Sequence, residues 1–268
     1  MAQVTAQPGT DARAAVESLL GTHGPRLYAL ARRLCGHEQD AQDLVQEVFL
    51  IALRSWGSFR GQSDPGTWLH TIAARTCKAR LRRKGGIDRR MPALSQVAPW
   101  TETRASTLGR DDPMRAGERA EAIEAVQAGV VRLPEDFRLA LVLKDVLGLS
   151  VKDVASTLGI KEQTVKTRVH RARLLLRKGL LRGLPTGAAP RPAYEKRVCV
   201  DLLKAKMDAL DAGRTTALGP ELVCERCRGV FEELNLVKTA CAEMSRGRLP
   251  AEVRRAVLGA IREGGRGR

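Results

Sequence analysis

The chain has 268 residues, of which 46 are Lys or Arg and 30 are Asp or Glu, giving a formal charge of +16. Its apolar content of 43% is enough to build cores, which excludes wholesale disorder. The longest apolar run, Val48–Leu53, is far shorter than the roughly 20 residues needed to cross a bilayer, so no membrane partner is expected.

The opening segment Met1–Thr10 carries no apolar stretch ahead of a cleavage site, so the expected location is the cytoplasm. There, six cysteines are expected as thiols or metal ligands rather than disulfides. The charge is concentrated: residues 66–92 and residues 161–182 each carry eight Lys or Arg and one acid, so each is +7. Two compact basic segments point to two separate contacts with a polyanion.

Strand-like alternation is scarce and helical periodicity abundant, which predicts an all-α protein. Val16, Leu19, Leu20, Leu27, Leu30 and Ala31 stripe the segment Ala14–Ala31, with Gly24-Pro25 marking a break and restart. Asp40 is placed to cap a helix whose face carries Leu44, Val48, Ile51 and Ala52 and which ends near Trp56-Gly57. After a loop over Phe59–Gly66, Thr67–Lys84 reads as a helix with Leu69, Ile72, Ala73 and Leu81 inward and its arginines outward. Gly85-Gly86 stops it, and residues 93–118 lack periodicity and read as a linker. A second helical unit covers 119–183, a short linker 184–193 follows, and a cysteine-rich module covers 194–264; the first unit is taken as 12–92.

The strongest local signal lies at 150–177. Ser150-x-x-Asp153 starts a short helix like a capping box, and Gly159 sits where a left-handed residue reverses the chain. Lys161–Lys178 then forms a second helix with Val165, Val169, Ala172 and Leu176 on its apolar face. The other side carries Lys161, Gln163, Thr164, Lys166, Thr167, Arg168 and Arg171. A helix so patterned can enter a major groove, its first residues reaching base edges and its later cations meeting phosphates. Upstream, Leu133-Pro134-Glu135 opens a supporting helix that Gly148 ends, with Phe137, Leu141, Val142 and Val146 as core. The histidines His23, His37, His70 and His170 are scattered, and no catalytic set accompanies them, so no enzyme is expected.

The string Asp40-Ala41-Gln42-Asp43-Leu44-Val45-Gln46-Glu47-Val48-Phe49-Leu50 resembles region 2 of bacterial sigma-70 factors of the extracytoplasmic-function group. Phe59-Arg60-Gly61 and Thr67-Trp68-Leu69 fit the same group, and Leu133-Pro134 with the helix-turn-helix resembles region 4. The resemblance implies promoter recognition as a subunit of RNA polymerase, with core polymerase and promoter DNA as partners. It implies a polymerase-docking surface at Asp40, Asp43, Leu44, Gln46 and Glu47, and −10 contacts from Ser63, Arg75, Lys78, Arg82 and Arg83. It assigns the −35 element to the helix from Lys161. Many members carry an aromatic residue just before Thr-Trp-Leu, where this chain has Asp64-Pro65-Gly66, and Trp68 itself reads as core. The rival reading is a stand-alone helix-turn-helix regulator, which has no use for the Asp40–Leu50 string.

In the tail, Cys199, Cys224, Cys227 and Cys241 are spaced C-x24-C-x2-C-x13-C. The C-x2-C pair suits a tetrahedral metal, and the stretch Cys224–Leu234 resembles the zinc-binding anti-sigma motif, whose usual His falls here on Pro220. The resemblance implies Zn2+ on these four cysteines and an intramolecular contact of the tail with the sigma part. A thiol–disulfide switch, another metal such as copper, and buried unligated cysteines are the alternatives. Cys35 and Cys77 read as core thiols.

Overall fold

The computed structural model describes residues 9, 11–83, 116–181, 190–214 and 219–263. The described residues form helices and connecting turns, as an all-α chain should, and they divide between two compact units. The first contains α1 (Ala12–Cys35), α2 (Glu38–Ser55), α3 (Pro65–Arg83), a π-helical turn Val142–Val146, α6 (Val151–Leu158) and α10 (Ala251–Glu263). The second contains α4 (Ala116–Arg132), α5 (Glu135–Leu141), α7 (Glu162–Leu181), α8 (Lys196–Asp211) and α9 (Glu225–Glu243). The expected linker 93–118 lies outside the described residues up to 115, and its last three residues already belong to α4. Of the expected linker 184–193, the first six residues lie outside them too.

In the first unit, α1 runs unbroken through Pro25, against the expected break at Gly24-Pro25. A proline inside a helix costs about 3 kcal/mol. Here Val16, Leu19 and Leu20 before it and Leu27, Leu30 and Leu34 after it are all buried. Each such side chain contributes roughly 1.5–3 kcal/mol, so packing outweighs the missing hydrogen bond. A Cβ on Gly24 would stand 3.0 Å from the Leu249 side chain, so glycine here lets the tail approach α1 closely.

Helix α2 starts at Glu38, two residues before the expected cap, so Asp40 lies within the first turn. Tyr28 donates a hydrogen bond to Glu38 at 3.0 Å and Arg32 pairs with it at 3.4 Å, which fixes the earlier start. The helix gives way at Trp56–Ser58, as expected. Asp64 caps α3, its carboxylate accepting from the backbone N–H of Gly66 (2.8 Å) and Thr67 (3.2 Å). Trp56, Phe59 and Trp68 form one aromatic cluster with centroids 5.0–5.6 Å apart, so Trp68 is a packing residue as expected. Helix α10 packs on α2 and α1 through buried Val253, Val257 and Ile261.

The capping box is built as the sequence predicts. The Asp153 N–H donates to Ser150 Oγ at 3.0 Å, the Ser150 hydroxyl donates to Asp153 at 2.6 Å, and Gly159 closes α6 at φ +66°. In the second unit, α7 packs on α4, α5 and α9, and α9 packs on α4 as well. Leu174 of α7 shares a core with Leu203, Met207 and Leu210 of α8 and with Val230 and Leu234 of α9. Two arginines of α7 enter the same interior: Arg173 is 0% exposed and Arg177 2%. Arg173 pairs with Asp211 at 2.8 Å and Arg177 with Glu233 at 2.6 Å.

Removing one partner of a buried pair leaves an uncompensated charge, at a cost of about 3–5 kcal/mol. Glu233→Ala is therefore expected to lower the urea midpoint of the full chain sharply, and Arg177→Met with Glu233→Leu to recover most of the loss. A midpoint unchanged in Glu233→Ala would contradict the pairing.

Candidate nucleic-acid interface

Helix α7 carries three stripes at 100° per residue. Val165, Val169, Ala172 and Leu176 are buried within an arc of about 60°, and Lys166, His170, Arg173 and Arg177 occupy the next arc of similar width. Gln163, Thr164, Thr167, Arg168 and Arg171 cover the remaining side. Lys161 and Gln163 are exposed and Thr164, Thr167 and Arg171 are half-buried, so this side is accessible to DNA. Arg168 also has a protein partner, donating to Asp136 of α5 at 2.7 Å. The second stripe faces the tail: Lys166 pairs with Asp208 at 3.7 Å, and His170 meets Asp211 at 2.9 Å. Burial by itself raises the Asp211 pKa, but the His170 hydrogen bond and the Arg173 guanidinium outweigh it and hold this carboxylate below its usual range.

In the first unit, α3 presents Arg75 exposed, while Lys78 donates to the Leu158 carbonyl of α6 at 3.4 Å. Thr71 of α3 and Thr157 of α6 share a hydrogen bond of 3.0 Å. Ser63 is exposed in the preceding loop; the side chains of Arg82 and Arg83 lie outside the described residues. On α2, Asp43 is exposed and Asp40, Gln46 and Glu47 are half-buried. Leu44 is 0% exposed, so it supports the acidic surface from beneath instead of touching a partner. Arg80, which sequence reasoning left out, binds Glu47 at 2.7 Å and the Asp40 carbonyl at 3.3 Å, tying α3 to the acidic helix.

The sequence profile "Sigma-70 region 2" matches residues 19–87, and "Sigma-70, region 4" matches 123–176. The chain is 36% identical over 175 residues to the ECF RNA polymerase sigma factor SigM of Mycobacterium tuberculosis, covering 65% of this chain and 81% of that protein. It is 35% identical over 155 residues to the RNA polymerase sigma-H factor of Pseudomonas aeruginosa, covering 58% and 80%. The ECF RNA polymerase sigma factor SigE of Mycolicibacterium smegmatis is 36% identical over 167 residues, and there the match spans 60% of either chain. The chain is an extracytoplasmic-function sigma factor of the sigma-70 family. In this sigma factor, α2 and α3 fall within the region 2 match and α7 as far as residue 176 within the region 4 match, in the order expected from the sequence. Members of the family bind core RNA polymerase and promoter DNA.

The sigma factor's tail brings together three of its four cysteines. Cys199 of α8, Cys224 at the entry to α9 and Cys227 in its first turn form one cluster. Burial, followed by the neighbouring Cys224 and Cys199, pushes the Cys227 thiol up to about 12. At Cys224 burial raises the pKa, but backbone hydrogen bonds from Ala193, Cys227 and Arg226, and the Cys227 thiol, bring it below the usual value. Cys241 is buried on α9, 14 residues beyond Cys227, which is about 21 Å along a helix. Thiolates on one tetrahedral zinc, with bonds of about 2.3 Å, lie about 3.8 Å from each other. Among the described residues, the sole trio of His, Cys, Asp or Glu ligand atoms within 4.8 Å of each other is His170, Asp208 and Asp211, which the α7 cations already neutralise. The donor set therefore does not fit the four-cysteine zinc site expected from the sequence, because helix geometry holds Cys241 away. Cys77 is buried and Cys35 half-buried, as core thiols should be.

On α3, His70 is 5% exposed and neither ring nitrogen has a hydrogen-bond partner. Burial, the neighbouring His23 ring and Arg26 lower its pKa to about 4, against a smaller opposing effect of Asp64. The folded chain thus binds fewer protons here than the unfolded chain between pH 6.5 and about 4. Stability from neutral His70 is complete above pH 6.5 and falls as the pH drops through that window, by about 2 kcal/mol between pH 7 and pH 5. Urea unfolding of His70→Leu should show a pH dependence smaller by that amount, and an unchanged dependence would place the titration elsewhere.

Proposed function

We propose that this sigma factor directs RNA polymerase to promoters in the cytoplasm and is restrained by its own C-terminal segment. The α2 surface around Asp43 would dock core polymerase. Ser63 and the basic side chains of α3 would meet the −10 element, and Lys161, Gln163, Thr164, Thr167 and Arg171 the −35 element. The observation carrying the regulatory part is the pairing of Lys166 with Asp208, beside the buried pairs of Arg173 and Arg177. Lys166 is a cation expected to reach DNA phosphate, and an aspartate of α8 holds it instead. The same tail supplies α10 to the surface of α2, so both functional regions of the sigma part carry a tail helix.

Asp208 is the partner to change, because it is partly exposed while Asp211 is buried with Arg173. A surface pair is worth about 0–1 kcal/mol, so Asp208→Asn is expected to tighten −35 duplex binding up to about fivefold and to steepen its salt dependence. Run-off transcription with core polymerase should likewise be greater for a chain ending at Arg182 than for the full chain. Equal activity of the two chains, with no effect of Asp208→Asn, would remove the restraint. Transcription from neither would remove the sigma assignment itself.

A further inference from the structure

The second unit holds a cavity of about 180 Å³, formed by the N-terminal turns of α8 and α9 and by the segment that leads into α8. Tyr194, Leu203, Val230 and Phe231 line it together with the thiols of Cys199 and Cys227, so its wall is apolar. A dry apolar cavity of about 150 Å³ accommodates benzene, so this one has room for a body of roughly six carbons. Leaving such a space empty costs stability in proportion to its volume, which favours an occupant. The polar groups at the cavity are few and of one sign. Lys196, the first residue of α8, and Arg226, the second of α9, also line it, and no carboxylate does. Both stand at the N-terminal, partially positive ends of their helices, which add to the same field. The large apolar side chains exposed among the described residues, Tyr194, Val198, Val200 and Leu222, belong to the same two stretches, the start of α8 and the turn before α9. An exposed apolar patch beside an apolar cavity with a few convergent polar groups is the setting of a small-molecule site.

We propose that this cavity binds an amphipathic monocarboxylate, with an aryl or medium-chain alkyl body against Val230 and Phe231 and the carboxylate at Arg226 and Lys196. The guanidinium can hold a carboxylate through two parallel N–H donors, and the lysine adds a point charge. A neutral ligand of the same shape would leave both cations unused, and an organic cation would be repelled by them. The wall is preformed: Lys206 stands 5.8 Å from the ring centre of Phe231 and is itself fixed by donating to Asn235 at 2.6 Å. A preformed wall lets binding proceed without a large ordering cost. None of the residues proposed to meet DNA or polymerase lines the cavity, so this site stands or falls independently of the function proposed above.

The full chain is titrated with hydrocinnamate and with octanoate, each compared with its own alcohol, and binding is followed by calorimetry and by intermolecular NOEs. The tighter acid, which identifies the body as aryl or alkyl, should occupy one site with a dissociation constant of about 1 mM or tighter. Its alcohol should bind about tenfold more weakly, because it forgoes the charge-assisted hydrogen bonds. NOEs are expected from the apolar protons of the ligand to Val230 and Phe231. Val230→Phe, which fills the cavity, should weaken acid and alcohol alike by at least about tenfold. Arg226→Gln with Lys196→Gln should instead bring acid and alcohol within about twofold of each other. The second variant alters only a half-buried and an exposed side chain, so it decides the matter even if Val230→Phe fails to fold. No saturable binding of either acid at about 10 mM, equal affinity for acid and alcohol, NOEs confined to other helices, or an undiminished preference in the double variant would each overturn the proposal.

Discussion

Two arginines of α7, the helix proposed to meet the −35 element, turn into the protein interior, and the arrangement of the second unit follows from where they go. Arg173 and Arg177 lie at 0% and 2% exposure, and a guanidinium so placed needs an anion at hydrogen-bonding distance. Asp211 of α8 and Glu233 of α9 supply those anions at 2.8 and 2.6 Å. The tail thus supplies the counter-anions of two α7 cations, which a chain without it would leave to solvent. The apolar core of Leu174, Leu203, Met207, Leu210, Val230 and Leu234 drives the helices together without fixing their register. The ion pairs fix it, because a slip of one residue on either helix would strand a buried charge.

That division of α7 into stripes bears on how the sigma factor reads DNA. The buried stripe supports the helix, the tail covers the next, and the third remains accessible with Gln163 and Arg171 upon it. The tail contacts and the surface proposed to meet DNA are neighbours on one helix, sharing chiefly the stretch that begins at Lys166. Such adjacency lets a small change in the tail, of the order of one surface ion pair, alter affinity without unfolding the unit. In region 2 a comparable economy ties the acidic helix to the basic one: Arg80 of α3 holds Glu47 and the Asp40 carbonyl, so the expected polymerase and −10 surfaces share a rigid base.

Local chemistry was legible in the sequence wherever a few adjacent residues decide the outcome. Ser150, Asp153 and Gly159 specify a helix start and stop by their own hydrogen bonds and backbone freedom, and the structure builds all three. The string Asp40–Leu50 and the region 4 pattern were legible as a family resemblance, and the Trp68 packing role followed from its setting. What could not be read depends on distant partners. Pro25 breaks a helix on propensity, but the buried leucines on both sides decide otherwise. Arg173 and Arg177 look like two more cations in a basic run, since nothing local reveals Asp211 or Glu233 across the core. The C-x2-C spacing announced two neighbouring thiols correctly, and Cys199 joins them only through the packing of α8 on α9. The same packing leaves Cys241 out, a consequence of helix rise that a spacing rule for ligands does not weigh.

The central claim is that α7 and the tail form one interlocked body through buried charge pairs. Amide hydrogen exchange along α7, compared between the full chain and a chain ending at Arg182, tests it most directly. The account predicts that residues around Arg173 and Arg177 are strongly protected in the full chain and lose much of that protection when the tail is absent. Equal protection in the two chains would contradict it.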